Sequence, residues 1–196
     1  MLTKKSKIFI AGHNGMVGSA IYKKLKKEKF KNIITINKNK LNLLDQKKVN
    51  IFLKKKKPDY VIIAAARVGG IIANSNNKAT FLYENLQIQN NLIHSSFLNG
   101  VKNLLFLGSS CIYPRGINMP ISEKRLLDGK LEKTNDSYAI AKIAGLKMCQ
   151  DYSNNYKLNY KSLMPSNMYG PGDNYDLVSS HFFAALLRKT YLASNS

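Results

Sequence analysis

The sequence predicts an α/β fold, a doubly wound parallel sheet with helices on both of its faces. Two observations predict it. Short apolar runs recur along the chain and alternate with longer segments of helical character. The strongest of these runs, YVIIAAA at 60–66, is apolar throughout, which is typical of a parallel strand buried on both sides. With 196 residues and 44% hydrophobic content, the chain has enough apolar material for one core.

Each element of this fold has its own signal, beginning at the N-terminus. The predicted strands are 7–11, 32–36, 60–66, 104–108 and 159–165, and the predicted helices are 16–29, 46–56, 79–99, 138–154 and 181–189. Gly12 ends the first strand, and Pro58 ends the second helix before the central strand begins. A polar, proline-bearing loop leads from the fourth strand to about Asn135.

The charge of the chain is strongly positive, at +20 with an isoelectric point near 9.9. Such a balance is typical of nucleic-acid-binding proteins, but the kind of base argues against that class here. Of the 31 basic residues, only Arg67, Arg115, Arg125 and Arg188 are arginines, and arginine dominates the specific reading of bases. The lysine runs are typical of solvated helix faces. We therefore expect no nucleic-acid partner, and a field that attracts an anionic ligand.

Two further features concern the compartment. No apolar stretch approaches the ~18 residues needed to span a bilayer, so we expect no membrane segment. Cys111 and Cys149 have no spacing that indicates a disulfide framework or a metal site. These observations predict a cytoplasmic protein with free thiols and no bound metal.

The turn AGHNGMVGS follows the first predicted strand and opens the first helix. Gly12, Gly15 and Gly18 are spaced three apart. The first glycine allows a tight turn, the second allows a pyrophosphate to approach the backbone, and the third allows close packing of helix on strand. Three glycines alone are often only turns, but this context between strand and helix predicts a dinucleotide site.

The end of the second strand bears on which dinucleotide binds there. An acidic residue at this point binds the ribose hydroxyls of NAD, whereas a basic residue accommodates the 2′-phosphate of NADP. The sequence here is ITINKNKLN, with Lys38 and Lys40 and no carboxylate. This pattern favours NADP(H).

A tyrosine and a lysine four residues apart stand in SYAIAKIAG. On a helix this spacing places Tyr138 and Lys142 on one face, and an ammonium beside a phenol is expected to lower the pKa of the phenol. Tyr22 and Lys26 have the same spacing, so the pair alone is weak. Ser109 adds to it, because this hydroxyl follows a strand at the edge where open α/β sheets bind ligands.

Cys111 comes two residues after Ser109, in LLFLGSSCIYPRG. A free cysteine at the end of a strand is most often a small core residue. The alternative is a thiol that takes part in the chemistry of the site, and the residues alone leave both interpretations open.

Several longer motifs occur in order along the chain: GHNGMVGSAI, AAARVGGI, LGSSCIYP, SYAIAKIAG, LMPSNMYGPGDN and the SSH that precedes ALLR. Together they resemble the extended short-chain dehydrogenases/reductases and, within them, the GDP-L-fucose synthases. The likeness runs from about Lys7 to Lys189. It implies a Rossmann domain over 1–196, with the substrate-binding region beginning at about 166–196. It also implies that most of the smaller C-terminal substrate domain is missing from this chain.

The resemblance implies roles for individual residues. The expected substrate is GDP-4-keto-6-deoxy-mannose, epimerised at C3 and C5 and then reduced at C4 with NADPH. Cys111 and His181 would exchange the protons at C3 and C5, Ser109 and Tyr138 would polarise the ketone, and Lys142 would assist Tyr138. The expected cofactor contacts are Gly12, His13, Asn14, Gly15, Met16, Val17, Gly18, Lys38, Leu107, Gly108, Ser109, Ser110, Tyr138, Lys142, Pro165, Ser166, Asn167, Met168 and His181.

Other implied contacts lie outside the cofactor site. Arg188 and Lys189 are expected at the GDP portion of the substrate, and Asn85 is expected to hold a water or a backbone group near Lys142. A homodimer through the helices at 79–99 and 138–154 is expected. Asn14 and Lys38 stand where relatives carry arginine, which predicts weaker binding of the 2′-phosphate.

Two other functions remain open at this stage. One is a non-catalytic NADP-binding fragment or pseudoenzyme. The other is a related sugar-nucleotide 4-epimerase or dehydratase, against which the pairing of Cys111 with His181 argues.

Overall fold

The computed structural model describes residues 2–177 and 179–195. In order, its strands and helices are β1 (Ile8–Ala11), α1 (Met16–Lys27), β2 (Ile33–Ile34), α2 (Gln46–Lys56), β3 (Tyr60–Ile63), α3 (Ile71–Asn76), α4 (Lys78–Leu98), β4 (Asn103–Leu107), α5 (Asp136–Tyr156), β5 (Asn159–Leu163) and α6 (Phe182–Ser194). Two short 3-10 turns, Ser110–Ile112 and Glu123–Arg125, lie between β4 and α5. The predicted alternation of strands and helices is confirmed.

The five strands form one parallel sheet in the order β2-β1-β3-β4-β5. The chain leaves β1 in one direction to make β2 and then crosses back over β1 to make β3. Since such crossovers are right-handed, α1 lies on one face of the sheet and α2, α4 and α5 lie on the other. The reversal opens a crevice at the carboxyl ends of β1 and β3, where doubly wound sheets bind ligands.

The main core lies between the sheet and the layer of α2, α4 and α5. Val61, Ile63, Leu104 and Phe106 point from β3 and β4 into this core and are almost completely buried. Leu92 and Ile93 of α4 are fully buried against them. Alternate residues of the same strands are only partly buried, because they face the side that α1 covers less completely.

The C-terminal region is packed differently. Of the α6 side chains, only Ala184 is buried, whereas Phe182 is 79% exposed and Tyr191 is 67% exposed. The region therefore presents a large apolar surface, unlike the helices that cover the sheet.

Four elements differ most from the prediction. β2 has two residues rather than five, since the chain turns away at Asn37 toward α2. No helix was predicted at α3, and β3 ends at Ile63 rather than at residue 66. α6 continues to Ser194, beyond the predicted end. Among the described residues, no helix combines the length and apolar character that a membrane span needs.

Candidate active site

The glycine-rich turn between β1 and α1 has the shape of an anion cradle. Gly12 has φ +87°, and a Cβ there would come within 2.6 Å of the Ala65 amide nitrogen. A Cβ on Gly18 would collide with the Gly12 carbonyl. Gly15 begins α1 with no side-chain cap and no acidic residue in the first turn. The helix N-terminus thus presents free amide groups to the crevice, which fits a pyrophosphate.

The end of β2 is tied to this turn by a side-chain hydrogen bond. The Asn14 amide donates to Oδ1 of Asn37 at 3.0 Å. Lys38 follows Asn37 and is exposed, and the described part of the chain gives it no ion pair. The predicted basic character of this end of the crevice is therefore present in the structure.

The carboxyl end of β4 is fastened to the segment that follows β5. The Gly108 amide donates to the Leu163 carbonyl at 2.7 Å, and the Ser110 amide donates to the Pro165 carbonyl at 3.0 Å. These bonds bring together two stretches predicted separately to contact the cofactor, 107–110 and the stretch 165–168 that follows β5. They form one wall of the crevice.

Lys142 reaches this wall from α5. Its side chain is buried, and Nζ donates to the Leu107 carbonyl at 2.8 Å. The same Nζ lies 5.6 Å from the centre of the Tyr138 ring. Burial lowers the pKa of Lys142 to about 8, an effect that the nearby Cys111 partly opposes. Tyr138 and Lys142 therefore lie close together on one helix, as predicted.

The expected electrostatic effect on Tyr138 is wrong in sign. Burial raises the pKa of Tyr138 above its usual range, and the charge of an ionised Cys111 adds to the rise. Desolvation of the phenolate is the larger of these two causes, so Tyr138 is held as the neutral phenol.

Cys111 lies in the 3-10 turn that follows β4. Its amide donates to Oγ of Ser109 at 3.4 Å, and its side chain is half-buried. Burial raises the pKa of the Cys111 thiol, whereas Ser109 and Lys142 act to lower it. The thiol thus shares one site with Ser109, Tyr138 and Lys142. Cys149 is a different case, because it is buried in the main core.

His181 lies at the start of α6, in a segment that contacts the loop after β3. It is exposed and immediately precedes α6, and in residues 2–177 and 179–195 its ring has no hydrogen-bond partner. The preceding residues touch the loop after β3, where the Gly70 amide donates to the Ser179 carbonyl at 2.9 Å.

With the crevice defined, residues 8–195 match the NAD dependent epimerase/dehydratase family. The chain belongs to this family. Its sequence is 48% identical over 190 residues to the GDP-L-fucose synthase of Escherichia coli K12, and 53% identical over 187 residues to that of Sinorhizobium fredii. These alignments cover 97% and 95% of this chain and 59% of each relative.

A solved structure shows the same fold. The GDP-D-glycero-L-gluco-heptose synthase of Campylobacter jejuni, determined in the presence of NADPH, superposes with a TM-score of 0.94 at 43% identity. The match covers 98% of this chain and 56% of that protein. The predicted resemblance is confirmed, and the chain spans about three-fifths of the length of the curated family members that it matches.

The other residues predicted to contact the cofactor or the substrate lie in the glycine-rich turn, after Pro165 and on α6. His13, Met16 and Val17 are partly buried in the glycine-rich turn, and Ser166, Asn167 and Met168 are exposed after Pro165. Arg188 and Lys189 are exposed on α6, where Nη1 of Arg188 donates to the Tyr175 carbonyl at 3.4 Å. The described residues contain no group of three metal-ligating side chains.

Asn85 and Gly70 make contacts that the sequence analysis did not identify. Asn85 holds a backbone group as expected, but the group belongs to Arg67 rather than to the surroundings of Lys142: Oδ1 accepts from the Arg67 amide at 2.9 Å, and Nδ2 donates to the Arg67 carbonyl at 3.0 Å. Gly70 contacts the segment before His181. The pair of glycines in ARVGG was the available signal, since adjacent glycines after a strand indicate a close approach of backbone.

Proposed function

We propose that this chain carries the cofactor domain and the reactive groups of an NADPH-dependent epimerase/reductase that converts GDP-4-keto-6-deoxy-mannose to GDP-L-fucose. The observation that carries the proposal is the convergence of Cys111 with Ser109, Tyr138 and Lys142 at the end of β4. The identities of about one half to named GDP-L-fucose synthases support the same substrate.

NADP(H) is proposed as the cofactor over NAD(H). The uncapped N-terminus of α1 fits the pyrophosphate, and the exposed Lys38 beside the Asn14–Asn37 hydrogen bond suits a 2′-phosphate. When bound, NADPH supplies the hydride that reduces C4. Where the 2′-phosphate would bind, the chain contributes the positive charge of Lys38. The described residues beside Lys38 include no carboxylate, which would favour an unphosphorylated ribose.

Ser109 and Tyr138 are proposed to hold the C4 ketone oxygen. Hydrogen bonds from both hydroxyls stabilise the negative charge that develops on this oxygen during enolisation and again during reduction. Because the raised pKa keeps Tyr138 protonated, its phenol donates the proton that completes the alcohol. Lys142 fixes this end of α5 to the Leu107 carbonyl.

Cys111 and His181 are proposed to exchange the protons at C3 and C5. The ketone acidifies the C–H bonds on its two neighbouring carbons. One group removes a proton, the electron pair moves into the enolate, and the other group returns a proton to the opposite face. A thiol and an imidazole can each take up a proton and give it back.

Substrate binding and assembly complete the proposal. Arg188 and Lys189, in the region 166–196 that begins the substrate-binding part, are proposed to contact the GDP portion. The chain is proposed to act in the cytoplasm as a homodimer through α4 and α5, with no nucleic-acid or membrane partner.

The experiment is to follow NADPH consumption by the purified chain with GDP-4-keto-6-deoxy-mannose. We expect turnover to GDP-L-fucose, a loss of ~10²–10⁴-fold in Tyr138→Phe, and strong slowing in Cys111→Ser. Tyr22→Phe is the matched control, because Lys26 lies over the Tyr22 ring on α1 with the same spacing.

The second candidate function is that of a non-catalytic cofactor-binding domain. The exposed apolar face of α6 favours this candidate, because a substrate held by a loosely packed segment is poorly oriented. If the chain binds NADPH but shows no turnover, it is a non-catalytic cofactor-binding domain.

A further inference from the structure

The loop between β3 and α3, residues 64–70, contacts both the glycine-rich turn and the segment before His181, and it is called here the bridging loop. At its beginning, the Ala64 amide donates to the Ala11 carbonyl at 2.9 Å, and Ala65 packs closely on Gly12. At its end, Gly70 contacts Ser179. The loop therefore extends from the glycine-rich turn to the segment before His181.

The contact at Gly70 leaves no space for a side chain. Its amide donates to the Ser179 carbonyl at 2.9 Å, and a Cβ at this position would collide with the Ser180 carbonyl. The obstacle is backbone, which cannot rotate away as the end of a flexible side chain can. Any residue other than glycine must therefore displace the 179–181 backbone or the loop itself.

The bridging loop is not free to absorb such a displacement. Nδ2 of Asn74 donates to the Gly69 carbonyl at 2.6 Å and to the Gly70 carbonyl at 3.1 Å. Asn85 holds both the amide and the carbonyl of Arg67 from the buried side of α4. Apart from the Gly70 contact, the described bonds of Ser179 and Ser180 run only to Asn174 and Asp176 of their own segment. This segment therefore moves as a unit, whereas the loop is held on α3 and α4 by Asn74 and Asn85.

We infer that Gly70 is a positioning residue that sets the location of His181 in the crevice. The inference rests on the proposed function, which assigns His181 to proton exchange at C3 and C5. The described contacts of Gly70 are with Ser179 and Ser180 and with Asn74, which holds it in place. None of these contacts involves the groups proposed for reduction, so Gly70 governs epimerisation separately from reduction of the ketone.

Two variants test this inference, and a third is their control. Gly70→Ala introduces the collision with Ser180. Asn74→Ala removes the two bonds to the loop carbonyls without adding any atom, and it decides the question if Gly70→Ala does not fold. Asn77→Ala is the matched control, because the side-chain Nδ2 of Asn77 donates to the Ala73 carbonyl at 3.0 Å and does not bond to the bridging loop.

The first measurement needs no catalysis. The chain has three histidines, His13, His94 and His181, so the NMR signals of their rings can be assigned individually. We expect Gly70→Ala to shift the His181 signal, Asn74→Ala to shift it less, and Asn77→Ala to leave it in place. His94 is the internal reference, because its Nδ1 lies 2.7 Å from the Tyr152 hydroxyl. An unchanged His181 signal in folded Gly70→Ala, or in Asn74→Ala if Gly70→Ala does not fold, overturns the inference.

The second measurement separates the two reactions. Deuterium uptake at C3 and C5 in D2O reports epimerisation, and NADPH oxidation with an already epimerised ketone reports reduction. We expect Gly70→Ala to lower deuterium uptake ~10²-fold, the effect of a displaced catalytic group, and to leave reduction near the wild-type rate. Equal losses in both reactions contradict a role through His181. If the unmodified chain shows neither reaction, the proposed function fails, and the NMR result still decides the position of His181.

Discussion

The layer that covers the sheet and the C-terminal segment 166–195 differ in how they are held. α2, α4 and α5 pack side chain against side chain on β3 and β4, and Phe106 at their centre is fully buried. α6 buries only Ala184. The contacts that position α6 include backbone hydrogen bonds in the loop before it, such as that between Gly70 and Ser179.

This difference separates stability from reactivity within one small chain. The groups proposed for reduction stand on the well-packed layer, since Lys142 is buried on α5 above the Phe106 ring at 4.8 Å. The groups proposed for epimerisation and for binding GDP stand partly on the loosely packed segment. Changes in the first region should therefore alter the free energy of unfolding, whereas changes in the second should alter only the site.

The largest expected effect comes from removing an aromatic ring in each region. Phe106→Ala should lower the free energy of unfolding by ~3–5 kcal/mol, because it leaves a cavity beneath α5. Phe182→Ala, at a side chain that is 79% exposed, should change it by less than ~0.5 kcal/mol. Urea denaturation followed by circular dichroism measures both. Similar losses in the two variants would contradict the comparison.

The two cysteines test the same comparison, because the rate at which each thiol is alkylated should depend differently on pH. The pKa of Cys111 is raised, so below that pKa the thiolate fraction, and with it the rate of alkylation, should rise ~10-fold for each pH unit. Burial raises the pKa of Cys149 to about 12, and this thiol should stay unlabelled until the chain unfolds. Mass spectrometry of iodoacetamide-treated protein between pH 7 and 9 measures each site, with labelling in urea as the control. A rate at Cys111 that levels off before pH 9 would refute the raised pKa.

The smallest effect is expected from a single hydroxyl. The Tyr160 hydroxyl of β5 donates to the Val101 carbonyl at 2.9 Å in a buried position. Tyr160→Phe should therefore cost about 1–2 kcal/mol, since it leaves that carbonyl unpaired. Tyr191→Phe on α6 is the matched control and should cost almost nothing, because its side chain is 67% exposed. Thermal unfolding of the two variants compares them directly, and equal shifts in Tm would speak against the distinction.

The order of strands and helices was predictable because burial on both faces leaves apolar runs that local sequence shows directly. The ends of the weaker elements were not. α3 has six residues, and its position depends on the contact of Gly70 with Ser179, two residues more than a hundred positions apart. β2 is shortened by the turn at Asn37. A long-range contact such as that between Gly70 and Ser179 leaves no mark on local periodicity.

The features of the candidate site also divide into those that the sequence predicted and those that it did not. The helical spacing of Tyr138 and Lys142 and the glycines of the first turn were visible, because each rests on local geometry. The sign of the Tyr138 pKa shift was not visible, since it depends on how deeply tertiary packing buries the phenol. Cys111 and His181 were found through the resemblance to a family. The roles of Asn85 and Gly70 became visible only in three dimensions.

One feature of the sheet has a practical consequence for handling the protein. β5 is the last of the five described strands, so one side of its backbone is not paired within the sheet. Unpaired strand edges promote edge-to-edge association between molecules, and lysine is a common residue that opposes it. β5 carries the exposed Lys161 beside the exposed Leu163. Chemical acetylation of lysines, which neutralises that charge, should therefore be avoided in preparing concentrated samples.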